Sequence, residues 1–161
     1  MDKVYLLSQT LGKLLLSNEE VITTAESCTG GGVASAITDI AGSSQWFDRA
    51  FITYSNDAKM DMLGVKRETL ESFGAVSEAV VQEMVLGALQ QSKATVGVAI
   101  SGIAGPDGGS AEKPVGTVCF GFAHQSGLQQ IETCYFSGSR SQIKEQAVAY
   151  ALETLCQFVE K

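Results

Sequence analysis

"VITTAESCTGGGVASAITDI" (residues 21–40) decides how the whole chain is read. It opens on "VITTA" (21–25), β-branched and apolar enough for a short strand. It closes on "GVASAITDI" (32–40), where Val33, Ile37, Ile40 and the following Ala41 fall on one helical face. A strand that hands over to a helix through a glycine-rich turn is the opening of an α/β fold. The turn itself crowds Ser27, Cys28 and Thr29 between Glu26 and Gly30. Two uses fit the hydroxyls. Ser27 or Thr29 caps the helix, or Ser27 is a nucleophile whose own turn supplies N–H donors for an oxyanion. Cys28 is a rival nucleophile, because a helix N-terminus lowers a thiol pKa. It also reads as a small core residue.

Outward from this stretch the same alternation continues. Val4, Leu7, Leu11, Leu14 and Leu15 recur at helical spacing before it. After it, "AFITYS" (50–55) reads as a second strand, then helices over Asn56–Leu63 and Lys66–Phe73 with Gly64 and Gly74 as stops. Ser77 is placed to cap a helix running to about Ser92. "TVGVAIS" (95–101) is nearly continuous in apolar residues, as a buried strand is. "TVCFGFAHQ" and "LQQIETCYFSG" flank a Ser-Gly turn and read as an antiparallel hairpin. A long helix closes the chain, with Ile143, Ala147, Tyr150, Ala151, Leu155 and Phe158 on one stripe. The pattern predicts one domain over residues 1–161, a layered α/β/α arrangement around a mixed sheet with a late hairpin. Neither a repeat nor a Pro/Ser linker divides it.

Composition narrows the function classes. The 161 residues are 45% hydrophobic and 18% charged, an ordinary globular balance. Eleven basic against eighteen acidic residues leave a net charge of −7, which speaks against a sequence-independent nucleic-acid binder. A small anionic ligand remains compatible, since a few local donors hold one phosphate. No apolar run approaches membrane length, and the N-terminus lacks the plan of a secretion signal. The cytoplasm is the expected compartment. Four cysteines without C-x-x-C spacing are expected to stay reduced there. A single histidine, His124, makes a zinc site of the His/Cys type unexpected.

Ligand crevices of α/β sheets lie beyond the carboxyl ends of parallel strands. Three polar turns leave strands at that end: Glu26–Gly32, Tyr54–Lys59 and Gly102–Gly116. If the strands are neighbours, the turns share one crevice. A serine nucleophile needs a base there. A Ser-His-Asp set would have to use His124, whose surroundings suggest only an edge or turn residue. Lysine is the alternative, since burial depresses its pKa. Of eight lysines, Lys59 and Lys113 lie in or beside such turns. Lys59 reads equally as a surface residue of a short helix, and Tyr54 is either a proton relay or a core aromatic. "GIAGPDGGSAEKPVG" (102–116) holds five glycines and two prolines, a loop that lets backbone approach a ligand. It is neither a Walker A loop nor a dinucleotide fingerprint. Arg140, opening the last helix, sits at the positive end of the helix dipole and would pair with a phosphate. A solvated arginine is the plainer reading.

"TAESCTGG", "ITDIAGSSQWF", "FITYSNDAKMDMLGV", "GAVSEAVVQEM", "AISGIAGPDGGSAEKPVGTV" and "FSGSRSQIKEQAVAYAL" together resemble the C-terminal domain family of competence/damage-inducible protein A, in its stand-alone amidohydrolase form. The resemblance spans nearly the whole chain. It implies hydrolysis of the carboxamide of nicotinamide mononucleotide (NMN) to nicotinate mononucleotide and ammonia, in pyridine nucleotide salvage. It implies Ser/Lys chemistry with no cofactor and no metal. Carried across, Ser27 would be the nucleophile, Lys59 the base and Tyr54 an aid to proton transfer. Glu26, Thr29, Gly30, Gly102, Gly105 and Arg140 would form the nucleotide pocket, and a homodimer is implied. The oxyanion is expected at N–H groups opening a helix over 29–40. Two other readings keep the same residues: an amidase for another pyridine or nucleotide amide, and a nucleotide-binding module without catalysis. A Cys28 enzyme is a further rival.

Overall fold

The structure, a computed structural model, describes residues 2–160. Its order is α1 (Lys3–Ser17), β1 (Ile22–Glu26), α2 (Gly32–Thr38), β2 (Phe47–Ile52), α3 (Asn56–Leu63), α4 (Arg67–Phe73) and α5 (Glu78–Gln90). Then come β3 (Val96–Gly102), β4 (Thr117–His124), β5 (Gln129–Tyr135) and α6 (Arg140–Glu160). The strands form one sheet in the order β2-β1-β3-β4-β5. β2, β1 and β3 are parallel, and β4 and β5 add the antiparallel hairpin.

Each face of the sheet carries its own core. On one, Leu11 and Leu15 of α1, Val33 and Ile37 of α2, and Ile143, Leu152 and Leu155 of α6 meet Ile22, Val98, Ile100, Phe120 and Phe122. On the other, Val80, Val81, Met84 and Val85 of α5 join Leu63 and Leu70 against Ala25, Ala99 and Cys119. The expected α/β/α layering and mixed sheet are therefore present. α5 approaches α3 so closely that a methyl at Gly87 would run into the Leu63 carbonyl, and α3 carries Lys59.

Two boundaries differ from the sequence reading. The second strand runs Phe47–Ile52, not 50–55. Its first residues are half-polar because β2 is an edge strand, where Asp48 takes the Lys93 N–H at 2.9 Å and Arg49 reaches the Gln91 carbonyl at 3.1 Å. The helix expected over 29–40 is the shorter Gly32–Thr38. Gly30 and Gly31 hold φ of 59° and 97°, a left-handed turn before the helix opens. Gly64 and Gly74 end their helices and Ser77 caps α5, accepting from the Val80 N–H at 3.2 Å.

His124 lies at the opposite end of the sheet from the glycine-rich turns, tying the hairpin to the segment before β1. Its Nε2 faces Glu20 at 2.9 Å, and Nδ1 accepts the Ser126 N–H at 3.0 Å. No described helix is long and apolar enough to cross a membrane.

Candidate active site

Hydrogen bonding continues past the strand ends and delivers the turns to one place. Ser27 donates its N–H to the Ile100 carbonyl at 3.0 Å, so it follows β1 while still tied to β3. Thr53 donates to the Glu26 carbonyl at 2.8 Å, which sets the segment after β2 alongside. The convergence expected of the three turns is realised. They wall a cavity of about 310 Å³ lined by Ser27, Cys28, Tyr54, Lys59, Ser101 and Gly102, with Gly105, Asp107 and Arg140 among the rest.

At this cavity Lys59 Nζ stands 3.1 Å from Ser27 Oγ. The ammonium side is steered by backbone, because Nζ also donates to the Thr53 carbonyl at 2.9 Å and the Tyr54 carbonyl at 3.4 Å. Ser55 caps α3, accepting from the Ala58 N–H at 3.0 Å, which fixes the helix turn that turns Lys59 inward. Lys59 is 1% exposed and has no carboxylate partner among the described residues. Burial accordingly pulls its pKa below the ordinary lysine value, the neighbouring Cys28 acting weakly the other way. A serine hydroxyl and a buried lysine amine at this distance have the geometry that a nucleophile–base pair requires. Cys28 is not a second candidate of equal standing. Burial above all pushes its thiol up to about 11, so it is a thiol and not a thiolate near neutrality.

Glu26 faces away from the cavity. Fully buried, its carboxylate accepts from Thr29 Oγ1 (2.7 Å), Gly31 N (3.1 Å), Val33 N (3.0 Å), Ala34 N (2.9 Å) and Thr24 Oγ1 (3.2 Å). It, and not Ser27 or Thr29, caps α2. Thr29 is spent on Glu26, and neither Thr29 nor Gly30 lines the cavity. Of the N–H groups opening the stretch 29–40, where the oxyanion is expected, those of Gly31, Val33 and Ala34 are thus occupied by Glu26. The N–H of Thr29, first of that stretch, has no acceptor among the described residues, and that of Cys28 meets only its own thiol.

Tyr54 and Arg140 meet at the rim. The Tyr54 hydroxyl, 64% exposed as a residue, accepts from Arg140 Nη2 at 3.2 Å and bonds neither Ser27 nor Lys59. Arg140 Nη1 donates to the Gly105 carbonyl at 2.7 Å, pinning the glycine-rich loop beside it, and no carboxylate neutralises it among the described residues. Lys113 is outside the cavity and bonds the Phe73 carbonyl at 2.6 Å. Ser101 was missed in the sequence. It is 1% exposed, lines the cavity, and its hydroxyl has no partner among the described residues. Its position at the carboxyl end of a central strand was the available signal. Thr53 Oγ1 is also buried without a partner, beside the carbonyl that holds Lys59. No cluster of three or more His, Cys, Asp or Glu side chains suited to a metal occurs among the described residues.

Known proteins share this architecture. The crystal structure of a competence/damage inducible protein from Agrobacterium tumefaciens superposes with a TM-score of 0.96 at 44% identity, covering 100% of this chain and 98% of that one. A nicotinamide-nucleotide amidohydrolase of Escherichia coli is 58% identical over 151 residues, 94% of this chain and 92% of the relative. A putative competence-damage inducible protein of Symbiobacterium thermophilum is 51% identical over 91% of this chain, which spans only 36% of it. Residues 5–159 match the family model described as the CinA C-terminal domain. With fold, length and sequence in agreement, the chain belongs to the CinA C-terminal domain family.

Proposed function

We propose that the chain hydrolyses the carboxamide of nicotinamide mononucleotide to nicotinate mononucleotide and ammonia, with Ser27 as nucleophile and Lys59 as base. The observation that carries the reading is the 3.1 Å approach of Lys59 Nζ to Ser27 Oγ in a cavity, with the amine's pKa drawn down by burial. The similarity to nicotinamide-nucleotide amidohydrolases supports the substrate.

Lys59 takes the Ser27 proton as Oγ bonds to the carboxamide carbon. The carbonyl oxygen gains the charge and accepts from the N–H groups of Cys28 and Thr29. Lys59 then returns its proton to the leaving nitrogen, the C–N bond breaks, and ammonia departs from an acyl-Ser27. Water attacks that ester, giving one proton to Lys59, which passes it to Ser27 Oγ as the product leaves as the carboxylic acid and loses its remaining proton to solvent. Ser101, open to the cavity, hydrogen-bonds the carboxamide. Arg140, uncompensated at the rim and at the N-terminus of α6, takes the phosphate, with Tyr54 and Gly105 holding the guanidinium.

Ammonia release from NMN by the purified chain tests this beside Ser27→Ala. Native turnover and a loss of about a thousandfold or more in a folded mutant are expected. Undiminished activity in the mutant removes Ser27 as nucleophile. Thermal stabilisation by nucleotide without ammonia from the native chain points instead to a binding module.

A further inference from the structure

Three charged side chains line the Ser27 cavity: Lys59, Arg140 and Asp107. Lys59 Nζ is engaged by Ser27 Oγ and the Thr53 and Tyr54 carbonyls, whereas the Arg140 guanidinium at the rim has no carboxylate partner among the described residues. Asp107 is the one carboxylate of the lining, and no hydrogen bond or ion pair engages it among the described residues. This is notable because its loop is fastened to the cation. Arg140 Nη1 holds the carbonyl of Gly105, two residues before Asp107, yet the two charges form no ion pair. Gly105 and Gly108 bracket Asp107 with φ of 80° and 93°, and this turn carries the exposed Asp107 to the mouth of the cavity, where it is one of the lining residues. Ala75, Val76, Ile103 and Ala104 complete the walls with apolar surface suited to a flat ring. A rim on which a guanidinium and a carboxylate stand apart without pairing is matched to a ligand carrying both charges apart.

We infer that Asp107 recognises the fixed positive charge of a pyridinium ring, so that the site selects pyridinium nucleotides over analogues with an uncharged ring. The inference rests on the function proposed above. With the carboxamide at Ser27 and the phosphate at Arg140, the ring lies between floor and rim, beneath the glycine-rich loop. Asp107 then answers the ring charge as Arg140 answers the phosphate.

The test compares NMN with its reduced dihydropyridine form, which has the same carboxamide, ribose and phosphate but no ring charge. Binding is measured to the full chain carrying Ser27→Ala, which separates affinity from the different reactivity of the two amides. The Ser27→Ala chain is expected to bind NMN roughly fourfold more tightly, the factor expected of unit charges about 5 Å apart in a water-like dielectric. Adding Asp107→Asn removes that preference by weakening NMN alone, and Asp107→Glu restores it. Equal weakening of both ligands overturns the inference and makes the carboxylate a ribose-hydroxyl ligand. No change in either also overturns it. Turnover of NMN by the chain with Ser27 intact is recorded alongside. Its absence overturns the proposed function together with this inference, whereas turnover without charge discrimination overturns the inference alone.

Discussion

Lys59 is a charged residue type held where charge is unfavourable, and its pH behaviour follows. Its folded pKa is below the ordinary 10.5, with burial the chief cause, so the folded chain binds fewer protons than the unfolded one between the two values. Stability contributed at this site therefore rises with pH across that window, and below it the full cost of burying the ammonium remains. Lys59→Met is expected to abolish ammonia release yet raise denaturation stability by about 1 kcal/mol at neutral pH. That gain should shrink toward pH 10. The native kcat/KM should rise with pH through the lowered lysine pKa and then level off. A flat profile, or a mutant that gains nothing in urea denaturation at neutral pH, contradicts this account. The sequence marked Lys59 by its place after a strand, but its burial was not legible there. Half of α3 is exposed, and its capping by Ser55 together with the packing of α5 on it turns Lys59 inward. Ser101 escaped for a related reason, since an apolar strand pattern does not say which terminal hydroxyl ends up in a cavity.

At the scale of elements, the Ser27 turn is held from below by Glu26, which satisfies three N–H groups around the opening of α2. Glu26→Gln replaces part of that acceptor set with an N–H₂ group aimed at donors. A loss of about 2 kcal/mol is expected, read as a lower urea midpoint at unchanged slope. Ammonia release should fall as well, because Ser27 is the next residue. Ser27→Ala, by contrast, removes no cap but takes one of three partners from the buried Lys59 amine, and should cost about 1 kcal/mol. Serine, threonine and glycine near a helix start suggest local capping by convention of frequency. Here a carboxylate ahead of the turn reaches forward over it instead, and that geometry depends on the two positive-φ glycines that fold the turn back.

Across the whole molecule, the functional side chains draw on both layers. Lys59 comes from the α3–α5 side, Arg140 from α6 on the other. Alternating strands and helices made the layering and the shared crevice readable before any coordinates. The β2 boundary was less readable, since an edge strand tolerates Asp48 and Arg49 where a central strand would not. The single tryptophan, Trp46, is 2% exposed and packs so tightly on α1 that Gly12 leaves no room for a methyl there. Its fluorescence therefore reports the α1–α6 layer. The red shift of Trp46, the loss of far-ultraviolet helix signal and the loss of ammonia release should coincide in one denaturation transition. A red shift that precedes the loss of turnover would show the layers parting independently.

The filled socket beneath Ser27 has an effect on the traffic of small ions. Glycine-rich turns that open helices ordinarily attract free phosphate and sulfate, because bare N–H groups await an anion. This chain seats its own Glu26 carboxylate there, so the fold itself takes the anion position. A stray phosphate entering the cavity meets the Arg140 guanidinium at the rim, remote from that socket. Inorganic anions are thereby turned away from the N–H groups of Gly31, Val33 and Ala34 and left to compete at the Arg140 end of the cavity.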